Sequence, residues 1–258
     1  MPGQLVIVSD AHLGAAPAAV EEAFLAFLEA VPDLGDCLLI NGDLFDFWFS
    51  YRRVVPRQGV AVAAALGALR RRLPIVMVGG NHDRWGQDFW RDDLGITFEP
   101  LEARFEVDGR VVLAVHGDGI TERHWSGKFL HHLLRHPATI TLFRWIHPDL
   151  GYRIADLVTD GAVTPADPAL LDQAAERQQA WAEQTMRADP SLGLLVMGHT
   201  HRSAVAEFGP GRHYVNPGPW YDGLRYAVAT SRDVQLRQWA DHRPLRAPPA
   251  DAGTTMRG

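Results

Sequence analysis

Two short patterns pair an imidazole with a second metal-binding side chain at alternate positions: Asp10-x-His12 and His199-x-His201. In an extended segment alternate side chains point the same way, so both members of each pair can reach one cluster. Three more groups of the same chemical kind lie between them: Asn41-Gly42-Asp43, Gly80-Asn81-His82-Asp83 and His116-Gly117-Asp118. Carboxylate, imidazole and amide-oxygen donors suit borderline divalent ions such as Mn, Fe, Zn or Co. A carboxylate standing between two such ions can bridge them at the short separation that two-metal hydrolases use. The glycines beside these residues let the backbone turn sharply and let a phosphate come close. Each group alone has a plain structural explanation: Asp-x-His at a cap, Gly-Asp in a turn, Asn-His-Asp ahead of a helix. What points to a metal centre is that all five occur in order, each directly after a short apolar run.

Those runs are Leu5–Val8, Cys37–Ile40, Ile75–Val78, Val111–Val115 and Leu194–Met197. Each has the length of a buried strand rather than of a helix. Between the first three lie stretches with helical character. Ala18–Val31 repeats its apolar residues at Val20, Phe24, Phe27, Leu28 and Val31, and Val60–Leu73 is alanine-rich and closes on Arg70-Arg71-Arg72. Strand, helix, strand, helix, strand is the signature of an α/β domain, in which sites are built at the C-terminal ends of the strands. The five loops are therefore expected at one edge of the fold. Residues 120–187 show no strand pattern and are rich in aromatics and histidines, which predicts a helical insertion. Short strands resume over 204–239, with turns at Gly209-Pro210-Gly211 and Pro217-Gly218-Pro219. The expected organisation is a core of 1–119 and 188–242, a helical insertion at 120–187, and a disordered Pro/Ala/Gly/Thr-rich tail over 243–258.

The bulk figures narrow the function. With 258 residues, 47% of them hydrophobic and 22% charged, the chain reads as an ordinary globular protein able to bury a sizeable core. A net charge of -6 argues against a nucleic-acid partner, and it suits an anionic substrate only where cations are concentrated locally. The single cysteine, Cys37, lies in a strand-like run and reads as a core residue, so the fold does not depend on an oxidising compartment. With no stretch of transmembrane length and no signal-like N-terminus, the expected location is cytoplasmic, with contact to a membrane surface allowed.

The series Ser-Asp-x-His, Gly-Asp, Gly-Asn-His-Asp, His-Gly-Asp and Gly-His-Thr-His resembles the full motif set of the calcineurin-like metallophosphoesterase superfamily, from residue 5 to about 218. That resemblance implies two packed mixed β-sheets flanked by helices, an α/β sandwich, with a helical lid above the metal edge. It implies one ion on Asp10, His12, Asp43 and His201, and a second on Asp43, Asn81, His116 and His199, with Asp43 bridging them beside a water or hydroxide. The implied reaction is in-line attack of that hydroxide on phosphorus. His82 would stabilise the transition state or protonate the leaving oxygen, with Asp83 orienting it, and Asp46 and Asp118 would stand behind the ligands.

Within the superfamily, Gly42-Asp43-Leu44-Phe45-Asp46-Phe47-Trp48 and Gly198-His199-Thr200-His201-Arg202 are similar to motifs of the UDP-2,3-diacylglucosamine diphosphatases of lipid A biosynthesis. Those enzymes release UMP and 2,3-diacylglucosamine 1-phosphate at the cytoplasmic face of the inner membrane. Many of them carry arginine after the Gly-Asn of the third motif, where this chain has His82 as the wider superfamily does. The resemblance makes a lipid-linked nucleotide sugar the expected substrate, manganese the expected metal, and Arg153 and Arg202 the expected substrate contacts. The lid's apolar residues, Trp125, Phe129, Leu130, Leu133, Leu134, Ile140, Leu142, Phe143, Trp145 and Ile146, would hold acyl chains, rest on the inner-membrane surface, or simply pack the lid on the core. Cationic lid residues Arg123, Lys128, Arg135, Arg144, His131, His132 and His136 would meet phosphates or anionic headgroups. The alternatives are a phosphodiesterase for another nucleotide-linked or phosphorylated substrate, and a non-catalytic scaffold, which metal content would distinguish.

Overall fold

The computed structural model describes residues 3–51, 53–86, 88–120, 137–160 and 168–239. The expected strands and helices are present. The first three strands are β1 (Leu5–Val8), β2 (Cys37–Asn41) and β3 (Ile75–Val78), and every residue in them is buried. Helices α1 (Ala18–Leu34) and α2 (Val60–Arg70) connect them. α1 runs past the expected end at Val31 and carries Pro32 within its last turn. α2 stops at Arg70, short of the expected Leu73, where Pro74 disfavours a helical backbone.

Two sheets result. One has the order β11-β10-β1-β2-β3-β4, with β1 to β4 (Thr97–Glu99) parallel and β10 (Arg225–Ala229) and β11 (Val234–Gln238) antiparallel at one side. The other has the order β5-β6-β7-β9-β8. In it β6 (Arg110–Val115), β7 (Leu192–Val196) and β9 (His213–Asn216) are parallel, while β5 (Glu102–Val107) and β8 (Ala204–Glu207) pair antiparallel at its edges. The sequence pattern had not indicated β4 or β5. β4 is three residues long and β5 exposes alternate residues, so neither forms an apolar run.

The apolar runs are continuous because each central strand is covered on both faces. Val6, Val8, Leu38, Ile40, Ile75 and Met77 face α1 and α2, packing with Phe24, Phe27, Val62 and Leu66. Their neighbours Leu5, Ile7, Cys37, Leu39, Val76 and Val78 face the second sheet, against Val112, Ala114, Leu194, Val196 and Val215. On the far side of that sheet, Leu113, Leu195, Met197 and Tyr214 pack against Ala182 and Met186 of a long helix. The layers are thus helix, sheet, sheet, helix.

Between β6 and β7 the described residues form three helices: α3 (Pro137–Phe143), α4 (Pro148–Asp160) and α5 (Pro168–Ala188). They sit on the core through Phe143, whose ring meets Phe49 at 4.7 Å and Trp85 at 5.4 Å, and through Tyr152 against Phe47 at 5.2 Å. Of the lid residues named from sequence, Arg123, Trp125, Lys128, Phe129, Leu130, His131, His132, Leu133, Leu134, Arg135, His136 and the side chain of Ile140 lie outside the described residues, as does the 243–258 tail. No helix among the described residues is long and apolar enough to cross a membrane.

Candidate metal centre

The five loops meet where β1, β2, β3, β6 and β7 end. Beyond β1 and β2 the backbones stay paired. Asp10 N–H donates to Gly42 O at 3.1 Å, and Ala11 and His12 N–H donate to Asp43 O at 2.8 and 3.0 Å. This stitching brings the first carboxylate–imidazole pair beside Asp43. Five of the non-glycine residues with positive φ are Asp10 (52°), His12 (45°), Asp43 (52°), His199 (69°) and His201 (55°). Such a backbone costs about 1–2 kcal/mol per residue. Its concentration on five candidate ligands marks a site whose geometry the surrounding fold imposes.

Asp10 and Asp43 are almost entirely buried. Asp10 accepts His199 N–H at 3.0 Å, and its Oδ1 lies 3.4 Å from His201 Nε2. Asp43 Oδ1 accepts His82 N–H at 3.0 Å, while Oδ2 lies 3.1 Å from His116 Nε2 and 3.9 Å from His12 Nε2. One carboxylate oxygen therefore stands between histidines of two different ligand groups. The donor atoms fall into three such groups: Asp10, His12 and His201; His12, Asp43 and His82; Asp43, His116 and His199. Glycines make this closeness possible. A Cβ on Gly80 would lie 2.0 Å from Asp43 Oδ1, and one on Gly42 2.3 Å from His116 Nδ1.

The electrostatics fit a bound cation. Burial works to raise the Asp43 carboxyl, but His116, His82 and His12 together hold it well below the usual range. Burial likewise opposes the lowering of Asp10 by His201 and His116, and loses. The same two carboxylates, against burial, push His116 up to about 10, whereas burial and the neighbouring His116 push His199 down to about 4. Two buried carboxylates thus demand positive charge between them. His12 Nε2 is buried without a hydrogen-bond partner, a lone pair turned toward Asp43 that a divalent ion would satisfy. The outward nitrogens are held in place. His116 Nδ1 lies 2.9 Å from the Asn41 carbonyl and His12 Nδ1 3.7 Å from the Asp46 carboxylate. A carbonyl or carboxylate behind Nδ1 leaves Nε2 as the ligating atom.

The model for calcineurin-like phosphoesterases matches residues 3–203. The chain belongs to the calcineurin-like phosphoesterase family. Proteins named UDP-2,3-diacylglucosamine hydrolase are similar to it: one from Porphyromonas gingivalis is 32% identical, covering 93% of this chain and 99% of its own. One from Bordetella parapertussis is 30% identical over 79% of each chain, and one from Shewanella sp. strain ANA-3 is 24% identical over 90% of this chain and 96% of its own. Among solved structures, Yfce, a phosphoesterase from E. coli, is 15% identical, covering 93% of this chain and 95% of that one, with a TM-score of 0.46. The protein is a metal-dependent phosphoester hydrolase.

Around this phosphoesterase centre the structure assigns several roles. Asn81 lies exposed in the turn between Gly80 and His82. Asp83, expected to orient His82, instead accepts Gly80 N–H at 2.9 Å and Leu44 N–H at 2.7 Å, clamping the third loop to the second. The residue facing His82 is Asp46, whose carbonyl lies 2.5 Å and carboxylate 3.8 Å from His82 Nδ1. Asp118 pairs with the buried guanidinium of Arg84, joining the third and fourth loops. Arg153 is exposed on α4, and Arg202 is bonded to Asp172 at 2.6 Å and to the Pro168 carbonyl at 3.3 Å, so it ties the last motif to the foot of α5. Arg84 and Gln178 had not been anticipated. Gln178 is fully buried on α5, and donates to Gly198 O at 2.9 Å while accepting from Thr200 and Asn216. A glutamine on a polar helix carries no local sign of such a partner 20 residues away.

Proposed function

We propose that this phosphoesterase holds two divalent cations, manganese foremost, and cleaves the pyrophosphate of UDP-2,3-diacylglucosamine to UMP and 2,3-diacylglucosamine 1-phosphate. One ion takes Asp10, His12, Asp43 and His201, the other Asp43, Asn81, His116 and His199. The observation that carries the substrate is the end-to-end likeness to the Porphyromonas gingivalis hydrolase, at 93% and 99% of the two chains, which includes the interval between β6 and β7. When bound, the two cations supply the charge that lowers the pKa of a water and neutralises phosphoryl oxygens.

The chain's own residues do the rest. Three imidazoles outweigh the burial of the Asp43 carboxyl and hold it well below the usual carboxylate range, which favours its charged form. The Asp46 carbonyl holds His82 at Nδ1, so His82 would donate from Nε2 to the oxygen that departs from phosphorus only as the imidazolium, with both ring nitrogens protonated. The Asp46 carboxylate also lies 3.7 Å from His12 Nδ1, so one residue stands behind a ligand with its carboxylate and behind the proton donor with its carbonyl. Gln178, Thr200 and Asn216 hold the His199–His201 turn to the lid's last helix.

Residues 120–187 act as the lid. Its exposed Leu142, Trp145 and Leu150, at 70%, 85% and 53% exposure, offer apolar surface to acyl chains or to the bilayer carrying the substrate. Arg153, exposed on α4, would contribute positive charge toward phosphate, and the enzyme would work at the cytoplasmic side of the inner membrane. The deciding experiment is hydrolysis of UDP-2,3-diacylglucosamine by purified protein with added manganese, products being followed by mass spectrometry. UMP together with diacylglucosamine 1-phosphate is expected. No turnover, by protein that still cleaves an aryl phosphodiester, would refute the substrate and leave the phosphoester chemistry standing.

A further inference from the structure

Tyr221 lies outside the five motif loops, in the turn between β9 and β10. Its hydroxyl stands 3.1 Å from His201 Nδ1. Its ring meets the His201 ring edge-on at 5.2 Å and the His12 ring edge-on at 5.4 Å. With Asp10, these two imidazoles form one of the ligand groups. The turn that carries Tyr221 is anchored on both sides. Trp220 is fully buried, with Phe24 at 5.3 Å and Phe27 at 4.8 Å, and its N–H donates to Ser9 O and Asp10 O at 3.1 Å each. Tyr221 N–H donates to Asp10 O at 3.3 Å. The backbone of Tyr221 is therefore fastened to the residue whose carboxylate faces His201, while its side chain remains 37% exposed.

The other ligands show what the hydroxyl does. His116 Nδ1 has the Asn41 carbonyl behind it and His12 Nδ1 the Asp46 carboxylate, and in both the Nε2 atom turns inward to Asp43. His201 Nε2 turns inward to Asp10 at 3.4 Å, and behind its Nδ1, among the described residues, stands the phenol of Tyr221. We propose that Tyr221 is a positioning residue for the Asp10–His12–His201 half of the metal centre. Its oxygen accepts the Nδ1 proton of His201, which fixes the ring plane and reserves Nε2 for the ion. The ring, wedged edge-on against both histidines, holds their separation. The inference rests on the two-metal reading above, and its test separates the two.

Metal-free wild type and Tyr221→Phe would be titrated with Mn2+, free ion being followed by electron paramagnetic resonance. Wild type is expected to bind two ions. Tyr221→Phe is expected to bind one as wild type does and the other about 10–100-fold more weakly. The Mn2+ concentration for half-maximal hydrolysis should rise in step, while turnover at saturating Mn2+ stays close to wild type. Metal-free melting temperatures should agree, because the variant keeps the ring and removes one hydroxyl. Wild-type affinity for both ions, or equal weakening of both, would overturn the proposal. Wild type that binds fewer than two ions would overturn the two-metal reading, and this inference with it.

Discussion

Gly80→Ala tests the idea that glycine exists at the third loop to let Asp43 in. A methyl there would lie 2.0 Å from Asp43 Oδ1, 2.4 Å from Asp43 N and 2.7 Å from Asp43 Cγ. Comfortable contact needs roughly 3.5 Å, so the turn and the carboxylate must part by roughly 1 Å. One of the three contacts is to backbone, and Asp43 N cannot swing aside as a flexible side chain would. Gly80 is not among the positive-φ glycines, so alanine meets no left-handed backbone penalty and the clash acts alone. Parting the two also strains the His82 N–H bond to Asp43 Oδ1, 3.0 Å, and the Gly80 N–H bond to Asp83 Oδ1, 2.9 Å. Overpacking of this kind costs about 1–3 kcal/mol, which lowers the melting temperature by roughly 2–12 °C in a chain of this size. A displacement of about 1 Å at the shared carboxylate is expected to cost about 100-fold in turnover, far more than the stability loss explains at 25 °C. Manganese-dependent hydrolysis of bis(p-nitrophenyl) phosphate reads the first quantity and a thermal melt the second. Gly67→Ala is the control: it lies within α2, where the new methyl meets only the flexible Leu94 Cδ2 at 3.2 Å. It should leave turnover unchanged and gain up to about 1 kcal/mol of helix propensity. If Gly80→Ala kept kcat/KM within about twofold of wild type, the steric argument would be wrong.

Four further outcomes are expected. Asp43→Asn keeps the shape and removes the charge shared by the two ligand groups, so hydrolysis should fall about 10³-fold or more, and wild-type turnover would sink the two-metal scheme. His82→Ala should lower kcat by about 10²–10⁴-fold with metal content unchanged. Loss of an ion from that variant, measured by elemental analysis, would instead make His82 a ligand with His12 and Asp43. Added Mn2+ at about 100 times its Kd should stabilise the protein by about 2.7 kcal/mol, or roughly 5–11 °C in melting temperature, and an unchanged melt would refute a folded-state site. Burial, with Asp36 alongside, pushes the Cys37 thiol up to about 11, above its ordinary value of 9.0. Because the folded value is the higher one, the contribution to stability is complete below pH 9.0 and is lost as pH rises through about 11. The melting temperature of wild type should therefore fall more steeply over that interval than that of Cys37→Ala, and parallel curves would count against it.

Much of the site was legible because its marks are local. Each of Asp10, Asp43, His82, His116 and His199 follows a buried strand within a few residues, and a strand covered on both faces must be apolar throughout. Donor chemistry is likewise written in residue type, so the class of metal follows from the residues, while the reaction class follows from the resemblance that the five motifs carry together. β4 and β5 were illegible for the converse reason, since neither a three-residue strand nor an edge strand with alternate exposure forms an apolar run.

Other features exist only in three dimensions. His199 N–H finds the Asp10 carboxylate 189 residues away, and Asp43 and His116, 73 apart, meet at 3.1 Å. Asp83 looked like a partner for its neighbour His82, yet the chain path turns its carboxylate to Gly80 and Leu44 and leaves Asp46 to face the imidazole. Arg202 looked free for substrate, yet α5 places Asp172 against it. Gln178 and Tyr221 carry no motif at all, and their roles come from where α5 and the β9–β10 turn are docked. Which atoms can bind a cation and which runs must be buried can be read from residue order, because those depend on composition over a few residues. Which donors face one another, which nitrogen of each histidine turns inward, and which carboxylate stands behind it were decided by the tertiary structure, because hydrogen-bond partners are chosen by packing across long separations and not by neighbours in the chain.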